Sequence, residues 1–159
     1  NMKRKLKKVG IALFLVSIAI QFYQPALNQN PGQDYTNDFL ITTNAPNNIS
    51  KLIQTSCYDC HSNNTKYLWY DYVQPARMFV EAHISDGKEE LNLNEFGSYS
   101  NRKQQSKLEA ISKQIKSGEM PLSSYTLLHH DAALTETQKQ KIIQWIDAIN
   151  EDNDSSENY

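Results

Sequence analysis

The chain has 159 residues, with 16 basic and 18 acidic side chains and a formal net charge of −2. The basic residues are not pooled on the part that can fold, so the charge gives no sign of a nucleic-acid partner. The length leaves room for one domain, roughly 105 residues from Ala45 to Asn150, and a domain that small commonly needs a staple besides its apolar core.

Residues 1–23 read as a membrane anchor. Lys3, Arg4, Lys5, Lys7 and Lys8 precede an apolar run from Val9 to Tyr23, interrupted by Gly10, Ser17 and Gln21. Charge followed by apolar run is the order of a secretory signal or signal anchor, with the basic end kept cytoplasmic. The run is short for a span, although Phe22 and Tyr23 suit the interface. No small-x-small cleavage site follows. The reading is therefore a retained single-pass transmembrane helix in a bacterial inner membrane, with the folded domain in the periplasm.

Residues 24–44 are rich in Asn, Gln, Pro and Thr with little periodicity, which predicts a flexible linker. Pro46 opens a short helix, with Ile49, Leu52 and Ile53 at helical spacing. After a polar and aromatic loop, Pro75 starts a second helix carrying Met78, Phe79, Ala82 and His83, which Gly87 is expected to end. Met78 is assigned to its apolar core face. A third helix starts near Arg102, turns Leu108, Ile111 and Ile115 inward, and stops at Gly118. The last begins at Thr135, where Thr135 and Gln138 have capping-box spacing, and carries Ile142, Ile146 and Ile149. Residues 151–159 form an acidic tail expected to be disordered. No strand is predicted, so the fold class is all-α.

The chemistry concentrates at Cys57-Tyr58-Asp59-Cys60-His61, the spacing of c-type haem attachment. Two cysteines three apart reach the two vinyl groups on one porphyrin edge, and the next residue, His61, falls under the iron as an axial ligand. Other uses of the two thiols remain open. A redox-active pair normally precedes a helix in a strand-flanked unit. Zinc needs two more ligands, which His83, His129 or His130 can offer. A structural disulfide is compatible with an oxidising compartment.

Met120, in a loop after the third helix, is the candidate sixth ligand, a soft thioether beside the stiffening Pro121. His83 is the alternative and would give bis-histidine iron. The bland readings are a gap-filling methionine and a hydrogen-bonded surface histidine. His129 and His130 are expected to cap or to face solvent. Tyr67, Trp69, Tyr70 and Tyr72 follow the motif closely enough to wall a macrocycle, although ordinary core packing predicts the same residues.

Taken in order, these features resemble monohaem class I cytochromes c and, more closely, a small bacterial haem-binding domain family. The matching stretches are Cys57 to Tyr67 (CYDCHSNNTKY), His83 with Gly87 to Phe96 (GKEELNLNEF), Gly118 to His129 (GEMPLSSYTLLH) and Asp131 to Thr135 (DAALT). The resemblance implies one covalent haem c gripped by helices, an extracytoplasmic location and electron transfer rather than enzyme catalysis. It makes His61 the proximal ligand and Met120 the late-loop methionine. Pro75 would supply the carbonyl that orients the proximal histidine.

The function expected is a membrane-anchored cytochrome passing single electrons between membrane redox proteins, freely or within a respiratory complex. A haem-based sensor or small-ligand binder would need a labile sixth site. A peroxidase-like enzyme would need a distal acid/base, for which His83 is the one obvious candidate.

Overall fold

The computed structural model describes residues 2–156, with side-chain surroundings given for 2–151. Its helices are α1 (Met2–Ile20), α2 (Phe39–Thr42), α3 (Asn47–His61), α4 (Ala76–Glu90), α5 (Asn101–Ser117), α6 (Ser123–Thr126) and α7 (Glu136–Ser156). Three 3₁₀ turns, Trp69–Tyr72, Leu93–Ser98 and His130–Ala132, lie between them. Among the described residues there is no strand, and the one β-type pairing is an isolated bridge between Gln29 and Asn64. The all-α expectation holds.

Local chemistry sets most helix ends. Pro46 stands at the N-cap of α3 and Pro75 at that of α4. Ser100 caps α5 by accepting the Lys103 N–H. Gly118 closes α5 at φ 76°, a left-handed backbone that glycine adopts without a Cβ clash. Thr135 and Gln138 form the reciprocal box at the start of α7: the Gln138 N–H donates to Thr135 Oγ1 and the Thr135 N–H to Gln138 Oε1.

The core joins Ile49 and Ile53 of α3, Leu108 and Ile115 of α5, and Ile142 and Ile146 of α7 to Leu93 and Phe96. Phe39 and Leu40 complete it. Residues 24–44 are therefore not a free linker. Phe39 is fully buried and meets Phe96 and Trp145 edge to face, with ring centroids 4.8 and 5.8 Å apart. Asp38 caps α2 through the Leu40 N–H and accepts the Tyr58 hydroxyl at 2.8 Å and the Asn94 amide at 2.8 Å. Asn28 is also tied down. Its N–H donates to the Tyr67 hydroxyl, its side-chain amide donates to the Ser62 carbonyl, and Lys88 donates to its Oδ1.

Three further expectations are corrected. Gly87 lies inside α4 instead of ending it. The inward line of α4 runs through half-buried Val80, buried Ile84 and half-buried Gly87, leaving Met78 and Phe79 about half exposed or more, so Met78 is not core. At the far end α7 continues through residues 151–156, where a disordered tail was expected; residues 157–159 lie outside the described part.

The membrane-spanning reading of the N-terminus also needs correction. α1 does form, and all its described residues are exposed, but no helix among the described residues is long and apolar enough to cross a membrane. The cations fill its first two turns, and the apolar part from Val9 to Ile20 rises only about 18 Å against a hydrocarbon core of about 30 Å. The end of α1 is held against the start of α4: the Gln21 amide donates to the Gln74 carbonyl at 3.2 Å, the Gln74 N–H donates to Gln21 Oε1 at 3.0 Å, and Arg77 donates to Gln24 and the Pro25 carbonyl.

Candidate functional site

α3 ends in the motif. Spacings of three and four residues put Cys57, Cys60 and His61 along one side of its last turn. Both cysteines are free thiols. Burial pushes the Cys57 thiol up to about 12, with Cys60 adding to it, and pushes Cys60 up to about 11, with Asp59 adding to it. Such thiols stay protonated at neutral pH, the opposite of the lowered pKa that marks a redox-active pair. Among the described residues no group of three or more His, Cys, Asp and Glu side chains is placed to hold a metal ion, so the zinc arrangement is not formed.

His61 is oriented by backbone. Its Nδ1 lies 3.0 Å from the Leu91 carbonyl oxygen, so Nδ1 carries the hydrogen and Nε2 keeps its lone pair. Leu91 is the C-cap of α4, where unsatisfied carbonyls give the helix end its negative character. The expected orienting residue, Pro75, takes no part. Its carbonyl accepts the Phe79 N–H within α4. Gly87 explains how the end of α4 comes so near: a Cβ there would stand 2.9 Å from the Cys60 carbonyl oxygen and 3.4 Å from His61 Cε1.

Two cavities flank this turn. One, of about 260 Å³, is lined by Cys57, His61, Leu91, Ile111, Met120 and Pro121 among others. The structure thus brings Met120 into the same cavity as His61. Ser56 also lines it, with a buried hydroxyl that has no partner. The other cavity, of about 270 Å³, is lined by Cys60, Tyr70, Asp71, His83, Leu122 and His129 among others. His83 therefore does not share the cavity of His61. Its side chain is exposed and its Nδ1 is 2.7 Å from the Phe79 carbonyl.

The aromatic residues after the motif scatter. Trp69 is exposed, and Tyr67 hydrogen-bonds Glu81. Only Tyr70 of the four lines either cavity. His129 stands at the N-cap of the turn His130–Ala132 and His130 is exposed, as expected, but the His129 ring makes no capping bond: it stacks on Tyr125 at 4.1 Å and meets the Tyr70 hydroxyl at 3.3 Å.

The donor set has a definite chemistry. Two protonated thiols on one helical turn can be alkylated by an electrophilic edge. An imidazole with its tautomer fixed can give Nε2 to a soft or borderline metal, and a thioether shares its cavity. The mostly apolar walls and the unpartnered Ser56 hydroxyl suit the chemistry of a largely apolar prosthetic group with some polar atoms. Sequence reasoning missed Leu91, Gly87 and Ser56. The first acts through its backbone and the second through having no side chain, so neither leaves a motif. A family model described as a haem-binding domain matches residues 15–148 of the chain. No curated protein and no solved structure matches it.

Proposed function

This chain belongs to the haem-binding domain family, and on that premise we propose that it is a monohaem c-type cytochrome carrying single electrons between redox proteins. Bound haem supplies the one-electron chemistry. Cys57 and Cys60 would anchor it through thioethers. His61 would ligate through Nε2, with Leu91 holding the ring against rotation. Met120 would supply the soft sixth ligand, which favours ferrous iron and raises the reduction potential. If His61 and Met120 both held the iron, no place would be left at the metal for a substrate, which would favour a carrier over an enzyme or a sensor.

The observation carrying this reading is the pairing of an oriented His61 and Met120 in one cavity beside Cys57. Five cations followed by an apolar helix support export of the domain to the outer side of the membrane, where thioether attachment takes place. Redox partners on that side, a respiratory complex among them, are part of the proposal.

Acid–acetone extraction of the naturally matured protein tests it. Colour should stay with the polypeptide, and it should become extractable or be lost when Cys57 and Cys60 are both changed to Ala. A colourless mature chain, or haem that leaves the wild type on extraction, would overturn covalent attachment.

A further inference from the structure

The second cavity has a chemistry of its own. Ala76, Phe79, Val80, Ile84, Leu122 and Leu128 make its apolar wall. At its polar end, His129 Nδ1 faces the Tyr125 carbonyl at 3.2 Å, so Nδ1 carries the hydrogen and Nε2 accepts from the Tyr70 hydroxyl. Tyr125 in turn donates to Asp59 at 2.7 Å. These groups satisfy one another.

Asp71 is the exception. It lines the cavity and is 3% exposed. Its Oδ2 accepts the Leu68 N–H at 2.6 Å, while Oδ1, also buried, has no hydrogen-bond partner. A buried carboxylate oxygen left unpaired keeps the desolvation cost of burial uncompensated, which a ligand donor would offset. The missing partner must be a donor. The stacked Tyr125–His129 pair, with ring planes 16° apart, and Phe79 favour a flat ring as its carrier.

We propose that this cavity binds a small flat aromatic molecule of the phenol class, its hydroxyl donating to Asp71 Oδ1. His61 and Met120 line the other cavity, but the anchoring thiol Cys60 lines this one, so the inference rests on the proposed haem attachment leaving it open.

The haem-loaded full-length chain would be titrated calorimetrically with 2-naphthol and with 2-methoxynaphthalene, which has nearly the same shape and no donor. 2-Naphthol should bind about tenfold tighter or more, the expected worth of a hydrogen bond to a buried charged group. In Asp71→Asn the amide oxygen can keep the Leu68 N–H and turn its NH₂ into the place of Oδ1. The preference should then be lost, because the oxygen of either compound can accept from the amide. Equal wild-type affinities, or no binding of either compound at millimolar concentration, would mean an apolar or water-filled space and overturn the proposal. So would an undiminished preference for 2-naphthol in a folded Asp71→Asn. Binding to the haem-free chain alone would mean that the macrocycle itself fills the cavity, which overturns the second site while leaving haem attachment intact. The two-compound comparison on wild type stands whether or not the variant folds.

Discussion

His61 Nδ1 and the Leu91 carbonyl oxygen, 3.0 Å apart, join the last turn of the motif helix to the last turn of α4. That link depends on close helix approach, and Gly87 permits it. Gly87→Ala sets two effects against each other. Alanine raises helix propensity by roughly 0.5–1 kcal/mol. Its Cβ would also meet a backbone oxygen at 2.9 Å, a contact that cannot swing aside. Overpacking of this kind costs about 1–3 kcal/mol, so the expected result is net destabilisation on urea unfolding. The variant should also weaken the low-spin haem spectrum as the imidazole is pushed from its place.

Met120 and His83 are separated by the cavities they line. Met120→Ala should abolish the ferric charge-transfer band of a methionine-ligated haem and lower the midpoint potential. His83→Ala should leave both unchanged. The reverse pattern would make the iron bis-histidine.

The thiols give a pH signature that attachment should erase. Cys57 lies at about 12 and Cys60 at about 11 in the folded chain, against an ordinary value of 9.0, because burial disfavours the thiolate. Below pH 9 both folded and unfolded states hold these protons. Above it the unfolded chain releases them first, so stability falls as pH rises from about 9 toward 11–12. Haem-free protein should show this loss, and Cys57→Ser/Cys60→Ser should lose less over the same window. In the mature protein the sulfurs are thioethers, and the cysteine part of the decline should be absent. Denaturant midpoints across that window would measure it.

Phe39 tests how far the folded unit extends toward the N-terminus. Phe39→Ala removes a fully buried ring from contact with Phe96 and Trp145 and should cost about 3–5 kcal/mol, read from urea or thermal unfolding. A chain beginning at Ala45 should fail to give a cooperative transition.

Elements whose signals are local were legible in the sequence. Pro46, Pro75, Gly118 and the Thr135–Gln138 box each act within one turn, and the isoleucine stripes of α3, α5 and α7 follow from helical period. Contacts across space were not. Phe39 and Leu40 stand with Ile41 in an otherwise polar stretch, and the packing of Phe39 on Phe96 and Trp145 is what marks the segment as core. Gly87 looks like a helix stop until Cys60 is seen beside it. The carbonyl that orients His61 could not be told from any other, and the expected Pro75 carbonyl was already engaged within its own helix. α1 carried the charge order of an anchor, but its apolar part ended after too few turns to span.

The meeting of Phe39 with Trp145 also bears on how the molecule is made. During synthesis the first partner emerges more than a hundred residues before the second, so the interior cannot shut until the last helix is complete. Cys57 and Cys60 face spaces whose walls include residues made later still than the motif, His129 on one side and Met120 and Leu134 on the other. The order of manufacture leaves an interval in which the sulfurs are reachable, and the arrival of that segment brings it to a close.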